Sequence, residues 1–141
     1  MNIRNFLDAN VWLALLWSRH EHWQRANAWF ERAADEQFFF CRFTQLTVLR
    51  LLTTEPIMGK DAMSLSRAWN LWDEVWSDDR IAYLPEPAGL EPELRSRTRL
   101  GSRSPKVWAD AYLLAFAAVA GLKFVSFDRA LNTHGVDVLI L

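Results

Sequence analysis

The stretch Ile3-Arg-Asn-Phe-Leu-Asp-Ala-Asn-Val-Trp-Leu-Ala-Leu-Leu-Trp17 carries the pattern that decides the fold. Residues 3–7 form a short, largely apolar run, which is typical of a buried strand, and this run stops at Asp8. Residues 10–17 then have helical character. We therefore predict a strand, a turn at Asp8 and a helix.

The remainder of the chain continues this alternation of short apolar runs and amphipathic helices. We predict further strands over residues 38–41, 81–84, 123–127 and 136–141, and further helices over residues 21–34, 45–52, 62–76 and 105–120. Thr44 is expected to cap the helix over 45–52, Ser104 and Pro105 to open the last helix, and Gly121 to end it. Residues 53–60 and 85–92 are predicted to be irregular connections because they contain proline and glycine.

Strands that alternate with helices, with few hairpin signals between them, favour a mainly parallel sheet covered by helices on both faces. We therefore predict an α/β fold of three layers, α/β/α. The length of 141 residues suits a single domain spanning residues 1–141. In open α/β sheets the working site lies beyond the carboxyl ends of the strands. Acidic residues at strand ends thus become the candidates for function.

Composition narrows the class of protein. The hydrophobic fraction of 51% and the charged fraction of 23% are those of a globular chain rather than a disordered one. The sequence has no signal-peptide pattern and no apolar run long enough for a membrane helix, so we expect a cytoplasmic protein that does not bind membranes. A single cysteine, Cys41, excludes an internal disulfide framework and a cysteine-based zinc site.

Three aspartates stand out. Asp8 and Asp128 directly follow predicted strands, although capping of the next turn is an alternative role for each. Asp110 is the only charged residue in the apolar segment 107–120, where we expect it to be buried beyond the first turn of the helix. A buried carboxylate is costly unless a cation or metal ion balances it. We expect the three carboxylates to converge, and such oxygen ligands suit Mg²⁺ or Mn²⁺ rather than zinc.

Two further surfaces are suggested by composition, although the net charge of −1 gives the whole molecule no pull toward nucleic acid. Five positive residues with no acidic residue among them occupy one segment: Arg95, Arg97, Arg99, Arg103 and Lys106. This segment is interpreted either as a solvated helix face and loop or as a strip that contacts phosphates. The eight tryptophans, with a stripe at Trp69, Trp72 and Trp76, exceed what one small core can hide and indicate a partner surface.

Three ordered segments together resemble the PIN domain, specifically the VapC-type toxins of type II toxin–antitoxin systems. They are Phe-Leu-Asp-Ala-Asn-Val-Trp-Leu-Ala at 6–14, Ala-Asp-Ala-Tyr-Leu-Leu-Ala-Phe-Ala at 109–117 and Gly-Leu-Lys-Phe-Val-Ser-Phe-Asp at 121–128. The resemblance implies a Mg²⁺-dependent endoribonuclease that cuts RNA, with Mn²⁺ as a possible substitute. It also implies a cognate antitoxin that covers the helical surface, and commonly a homodimer.

Carried over by position, the resemblance makes Asp8, Asp110 and Asp128 the acidic residues of the site, with Asn10 and Ser126 as polar companions. In the expected mechanism, Asp8 and Asp110 hold the ion and Asp128 orients a water molecule. The basic residues from Arg95 to Lys106 are candidates for holding the RNA backbone.

The sequence departs from the family at one position. Such proteins usually carry a glutamate on the helix that begins near Thr44, but Thr47 occupies the expected place here. The change weakens the case for a second metal ion and leaves open an alternative, a catalytically weak or silent PIN-like module that binds RNA or antitoxin. A haloacid-dehalogenase-like phosphatase is disfavoured because its second aspartate would fall at Asn10.

Overall fold

The computed structural model describes residues 2–131 and 135–141 and contains a parallel sheet covered by helices. The strands are β1 (Arg4–Leu7), β2 (Gln37–Phe40), β3 (Ile81–Tyr83), β4 (Lys123–Ser126) and β5 (Val138–Ile140). They lie in the order β3-β2-β1-β4-β5, and each neighbouring pair is parallel. The predicted α/β fold with a mainly parallel central sheet is confirmed.

The helices occupy the connections between the strands. They are α1 (Ala9–Leu16), α2 (Trp23–Arg32), α3 (Arg42–Leu52), α4 (Glu55–Met58), α5 (Leu65–Trp76), α6 (Leu90–Thr98) and α7 (Val107–Ala120). Short 3₁₀ turns follow at Gly59–Asp61 and Arg129–Leu131. None of the helices in the described ranges has the length and apolar character needed to cross a membrane.

The sheet separates two hydrophobic clusters because successive strand residues point to opposite faces. Leu7 of β1 packs with α1, α3 and α5 on one face. Phe6, the residue before it, packs with α6 and α7 on the other face, where its ring stacks on Phe116 at 4.6 Å. The three predicted layers follow from this alternation.

Strand order places a topological switch at the centre of the sheet. From β1 the chain adds β2 and β3 on one side, and it then returns to place β4 and β5 on the other side. The carboxyl ends of β1 and β4, which are followed by Asp8 and Asp128, therefore border the crevice where parallel sheets bind their ligands.

Several predicted helix starts differ from the structure: α2 begins at Trp23 rather than residue 21, and α5 begins at Leu65, after the N-cap Ser64, rather than at residue 62. The starts of α3 and α7 are also wrong. Helix α3 begins at Arg42 rather than after Thr44, because β2 leads through extended Cys41 straight into the helix. Thr44 is fully buried inside the first turn, with its hydroxyl 3.4 Å from the Cys41 thiol. Helix α7 begins at Val107 rather than Pro105, because Val107 N–H bonds the Ser104 carbonyl at 3.3 Å in a preceding turn. The predicted end at Gly121 is confirmed, with φ of 68° in the left-handed region.

Two segments predicted as irregular contain helices. Residues 53–60 include α4, where Pro56 occupies the first turn and its missing N–H leaves no helical bond unmade. Residues 85–92 run into α6, which begins after left-handed Gly89. Pro92 lies in the first turn of α6, where proline is tolerated for the same reason. The prolines therefore led to a wrong prediction, that the irregular connection extends to residue 92.

The expected excess of tryptophan at the surface is confirmed. Trp12 and Trp72 are buried, whereas Trp69 and Trp76 of α5 are each 46% exposed and Trp108 of α7 is 63% exposed. The tryptophan stripe on α5 thus contributes one residue to the core and two to the surface.

Arg80 joins α2 to the edge of the sheet. Its guanidinium pairs with Asp78 at 2.9 Å and donates to the carbonyls of Phe30 at 2.8 Å and Ala33 at 3.2 Å. It also lies 3.9 Å from the centre of the Phe30 ring and 5.2 Å from that of Phe38. The planar arginine head satisfies the last carbonyls of α2 while it covers two aromatic rings.

We expect Arg80→Ala to lower the free energy of unfolding by about 2–4 kcal/mol, since it removes charge-assisted hydrogen bonds and a cation–π contact together. Arg95→Ala is the matched control: Arg95 is exposed and pairs only with Glu91 along α6, so its loss should cost about 0.5 kcal/mol or less. Urea unfolding of both variants measures the difference, and equal losses would contradict this role for Arg80.

Candidate active site

Asp8 is fixed where β1 turns into α1. Its N–H donates to the carbonyl of Val125 in β4 at 2.8 Å, and its Oδ1 accepts the N–H of Ala9 at 2.8 Å. The side chain therefore caps α1, which is the alternative role that the sequence left open for Asp8. Asp8 also lies at the switch point between β1 and β4. The cap uses Oδ1 and leaves Oδ2 available for another contact.

Ser126 makes that contact. This buried residue ends β4, and its hydroxyl donates to Asp8 Oδ2 at 2.8 Å. The same oxygen accepts the N–H of Asp128 at 3.0 Å. One buried hydroxyl thus connects the carboxylate that follows β1 with the turn that follows β4.

Asp128 is exposed, and its Oδ1 accepts the N–H of Ala130 at 3.0 Å. This bond caps the 3₁₀ turn at Arg129–Leu131, so the alternative role of capping is also present at this position. Its other carboxylate oxygen has no hydrogen-bond donor within the part of the chain that the structure describes.

Asp110 departs from its predicted environment. It lies in the first turn of α7 rather than beyond it, and it is half-buried instead of enclosed. The reason is the late start of α7, which leaves the first turn at the sheet edge, while the buried residues of the helix begin at Ala111. A carboxylate in the first turn is also favoured by the helix dipole.

The three carboxylates influence one another electrostatically. Burial raises the pKa of Asp8, and the negative charges of Asp110 and Asp128 raise it further, against the hydrogen bonds from Ser126 and Ala9 that lower it. Burial also raises the pKa of Asp110, with a further contribution from Asp128. Like charges held close together favour protonation or a bound cation.

The carboxylate oxygens of the described residues do not form a complete set of metal ligands. Within residues 2–131 and 135–141, no three side chains of His, Cys, Asp or Glu form a group that could hold a metal ion. Mg²⁺ commonly takes only one or two carboxylates and completes its shell with water and substrate phosphates. The arrangement therefore suits an ion with a partly open shell.

Asn10 adds an oxygen without a partner. It lies on α1 two residues after Asp8, and its buried Oδ1 has no hydrogen-bond donor among the described residues. Buried amide oxygens are almost always satisfied, so an unpaired one is ready to accept a hydrogen bond from water or a ligand.

Thr47, the position of the missing glutamate, makes no hydrogen bond to the carboxylates in the described structure. Its hydroxyl donates to the carbonyl of Phe43 at 2.9 Å, inside α3. Phe43 lies one turn earlier on α3, and its ring contacts Tyr112 of α7 at 5.4 Å. The face of α3 that carries Thr47 is therefore directed toward α7, the helix of Asp110.

The five cations divide into two groups. Arg95 pairs with Glu91 and Arg97 pairs with Glu93, each at 2.9 Å. Both glutamates lie in the first turn of α6, just before the segment from Arg95 to Lys106, which has no acidic residue of its own. Arg99, Arg103 and Lys106 are exposed, and no described carboxylate lies within 4.0 Å of them.

The structure also exposes a residue that the sequence did not single out. Trp108 lies in the first turn of α7, between Lys106 and Asp110, with 63% of its surface exposed. The sequence does offer one indication of its role: Trp108 lies two residues after Lys106 and two residues before Asp110.

Comparison with known proteins agrees with this architecture. The PIN domain family model matches residues 6–135. Ribonuclease VapC41 of Mycobacterium tuberculosis is 39% identical over 133 residues, which cover 91% of each chain. Ribonuclease VapC44 of the same organism is 33% identical over 140 residues, which cover 95% of this chain and 92% of that one.

A solved structure has the same fold. VapBC2 from Rickettsia felis, bound to a DNA fragment from its promoter, superposes with a TM-score of 0.72 and 10% identity, covering 97% of this chain and 98% of that one. The family model and the VapC relatives each match nearly the whole length of the chain. The chain therefore belongs to the PIN domain family, among its VapC-type members.

Proposed function

We propose that this protein is a metal-dependent endoribonuclease that hydrolyses RNA phosphodiester bonds and acts as the toxin of a type II toxin–antitoxin pair. The observation that carries the proposal is the partly buried Asp8 carboxylate at the carboxyl ends of β1 and β4, which Ser126 holds by a 2.8 Å hydrogen bond and whose pKa the charges of Asp110 and Asp128 help to raise. The names of the relatives VapC41 and VapC44, both ribonucleases, support the choice of RNA as substrate.

The residues fit a hard divalent cation, Mg²⁺ or Mn²⁺. Every candidate ligand is an oxygen, and the buried Asn10 Oδ1 lacks a donor in the described structure, as an oxygen that accepts from an ordered water would. Asp8 and Asp110 would hold the ion. When bound, the ion supplies Lewis acidity and positive charge for phosphodiester hydrolysis.

The other residues of the site act by holding and orienting. Ser126 fixes Asp8 Oδ2 by its 2.8 Å hydrogen bond, and Ala9 fixes Oδ1, so the carboxylate has one orientation. Asp128 is exposed and keeps one oxygen free to accept a hydrogen bond from the attacking water. Arg99, Arg103 and Lys106 are the better candidates for RNA phosphates, because Arg95 and Arg97 already have glutamate partners.

An antitoxin and a second copy of the chain are the proposed protein partners. The half-exposed Trp69 and Trp76 of α5 offer the apolar area that such an interface needs. The VapBC2 structure, which shares the fold, supports the choice of an antitoxin.

We expect Asp8→Asn and Asp110→Asn each to lower the rate of Mg²⁺-dependent RNA cleavage by about 100-fold or more, because each removes a charge that would hold the ion. Ser126→Ala should lower it by about 10- to 100-fold, since it only releases Asp8 Oδ2. Cleavage of total RNA in Mg²⁺ and in EDTA measures these effects, and growth arrest on expression measures toxicity.

Asp73→Asn is the matched control, because Asp73 is an exposed aspartate on α5 that does not contribute to the raised pKa of Asp8 or of Asp110. It should leave cleavage and toxicity unchanged. A wild-type protein that neither cleaves RNA with Mg²⁺ nor arrests growth, with no change in either Asn variant, would favour the silent binding module instead.

Thr47→Glu should strengthen Mg²⁺ binding, because it places a carboxylate on the face of α3 that is directed toward α7. The measurement is the rise in melting temperature on titration with Mg²⁺, with Leu46→Glu as control. Leu46 is 55% exposed and lies on an adjacent face of α3, so a charge there should not increase the response. An equal response of the two variants would rule out a ligand role for position 47.

Asp8→Asn should increase the free energy of unfolding at about pH 7 in EDTA. The raised pKa of Asp8 means that the folded state binds this proton more tightly than the unfolded state. The resulting stabilisation is complete below the ordinary pKa of 3.8 and is lost as pH rises through the raised pKa. The advantage of the variant should therefore shrink as pH falls, and Mg²⁺ at about pH 7 should stabilise the wild type more than the variant. A pH-independent difference would contradict this.

A further inference from the structure

Trp108 is the most exposed tryptophan of the chain, at 63%, against 46% for Trp69 and Trp76. Its ring contacts no other aromatic ring in the described structure, whereas the Trp76 ring lies 5.1 Å from that of Phe40. Exposing a large flat apolar surface that packs on nothing is unfavourable in water. Such a side chain is typical of a binding surface rather than of the core.

Trp108 is close to Asp110 along the chain but not on the same side of α7. Trp108 and Asp110 share the first turn of α7, and a rise of about 1.5 Å per residue separates them by about 3 Å along the helix axis. Two residues correspond to roughly 200° around the helix, so the two side chains project to different sides. The indole therefore lies on a different side of α7 from Asp110, where an RNA strand that passes the end of the helix would reach it.

The surroundings of the indole carry positive charge. Trp108 lines a cavity of about 240 Å³ together with Leu100, Ser102 and Arg103. This volume is below the roughly 300–1,000 Å³ of most small-molecule sites and suits one flat ring better than a whole metabolite. Lys106 directly precedes α7. Among the described residues, no carboxylate lies within 4.0 Å of Lys106 or of Arg103.

The charge distribution distinguishes this surface from that of α5. Trp69 and Trp76 stand on a helix that also carries Asp73 and Glu74, and such a mixed surface suits a protein partner. Around Trp108 the segment from Arg95 to Lys106 has no acidic residue. An exposed aromatic ring beside unpaired cations matches a polyanion that carries flat bases.

We infer that Trp108 is a stacking platform for an unpaired RNA base bound outside the carboxylate site, on a different side of the first turn of α7 from Asp110, with Arg103 and Lys106 binding the phosphates that flank this base. The inference rests on the proposed ribonuclease function and adds a positioning residue to it. A base inside a duplex is already stacked on both sides, so the platform selects single-stranded segments.

The test is binding of a fluorescein-labelled single-stranded RNA of mixed sequence to full-length protein in the uncleaving Asp8→Asn background. Trp108→Ala should weaken this binding about 5- to 100-fold, the loss of one base-stacking contact. Trp108→Tyr should retain most of the affinity, because a ring remains. Ile57→Ala is the control, an apolar side chain of α4 that is 48% exposed and lies outside both tryptophan surfaces, and it should bind as the parent does.

Two further readouts separate stacking from charge. Trp108→Ala should leave the slope of log affinity against log salt unchanged, whereas Arg103→Ala and Lys106→Ala should each reduce it by about 0.7. Binding of the same RNA annealed to its complement should not change in Trp108→Ala. Melting temperatures of all variants confirm that they are folded.

Unchanged single-strand affinity in Trp108→Ala, or an equal loss on the duplex, would overturn the inference while RNA cleavage by the wild type still supported the proposed function. A changed oligomeric state with unchanged RNA affinity would assign Trp108 to a protein interface and would also overturn it. A wild-type protein that neither binds nor cleaves RNA would overturn both proposals.

Discussion

The buried hydrogen bond from Ser126 to Asp8 is the contact on which the arrangement of the site depends. It joins the carboxyl ends of β1 and β4, the two strands between which the chain reverses its direction across the sheet. Asp8 is held by its own N–H, by the N–H of Ala9 and by this hydroxyl, so its carboxylate has little freedom. Asp128 is placed by the same serine oxygen, so one residue sets the geometry of two acids.

This geometry places negative charges together at a cost to stability. Burial and neighbouring charge raise the pKa of Asp8 and of Asp110, so both carboxylates favour a proton or a cation over the ionised state alone. Perturbed carboxylates in a crevice at the switch point are typical of functional sites. Contacts away from the site, such as the hydrogen bond of Arg80 to the Phe30 carbonyl and its ion pair with Asp78, stabilise the fold against this cost.

The surface is organised into two aromatic regions of different charge. On α5, Trp69 and Trp76 flank the buried Trp72 beside acidic residues, which suits a protein partner. At the start of α7, Trp108 lies near Arg103 and Lys106, which have no carboxylate partner among the described residues, and this surface suits a nucleic acid.

The amino-acid sequence predicted the order of the strands and the parallel sheet and made the three aspartates candidates, because apolar periodicity and residues at strand ends are local properties. It did not predict α4 or α6. The starts of α3 and α7 were misplaced, since the cap preferences at Thr44 and Ser104 were overridden by the direct passage of the chain from β2 through extended Cys41 into α3 and by the turn before Val107. The pairing of Arg95 with Glu91 and of Arg97 with Glu93 is local to α6, and it was missed because the segment before this helix was predicted to be irregular. The half-exposure of Asp110 and the solvent exposure of Trp108 emerge only in the folded chain. Those properties depend on which side chains meet across the fold, and a single sequence does not record such contacts between distant residues.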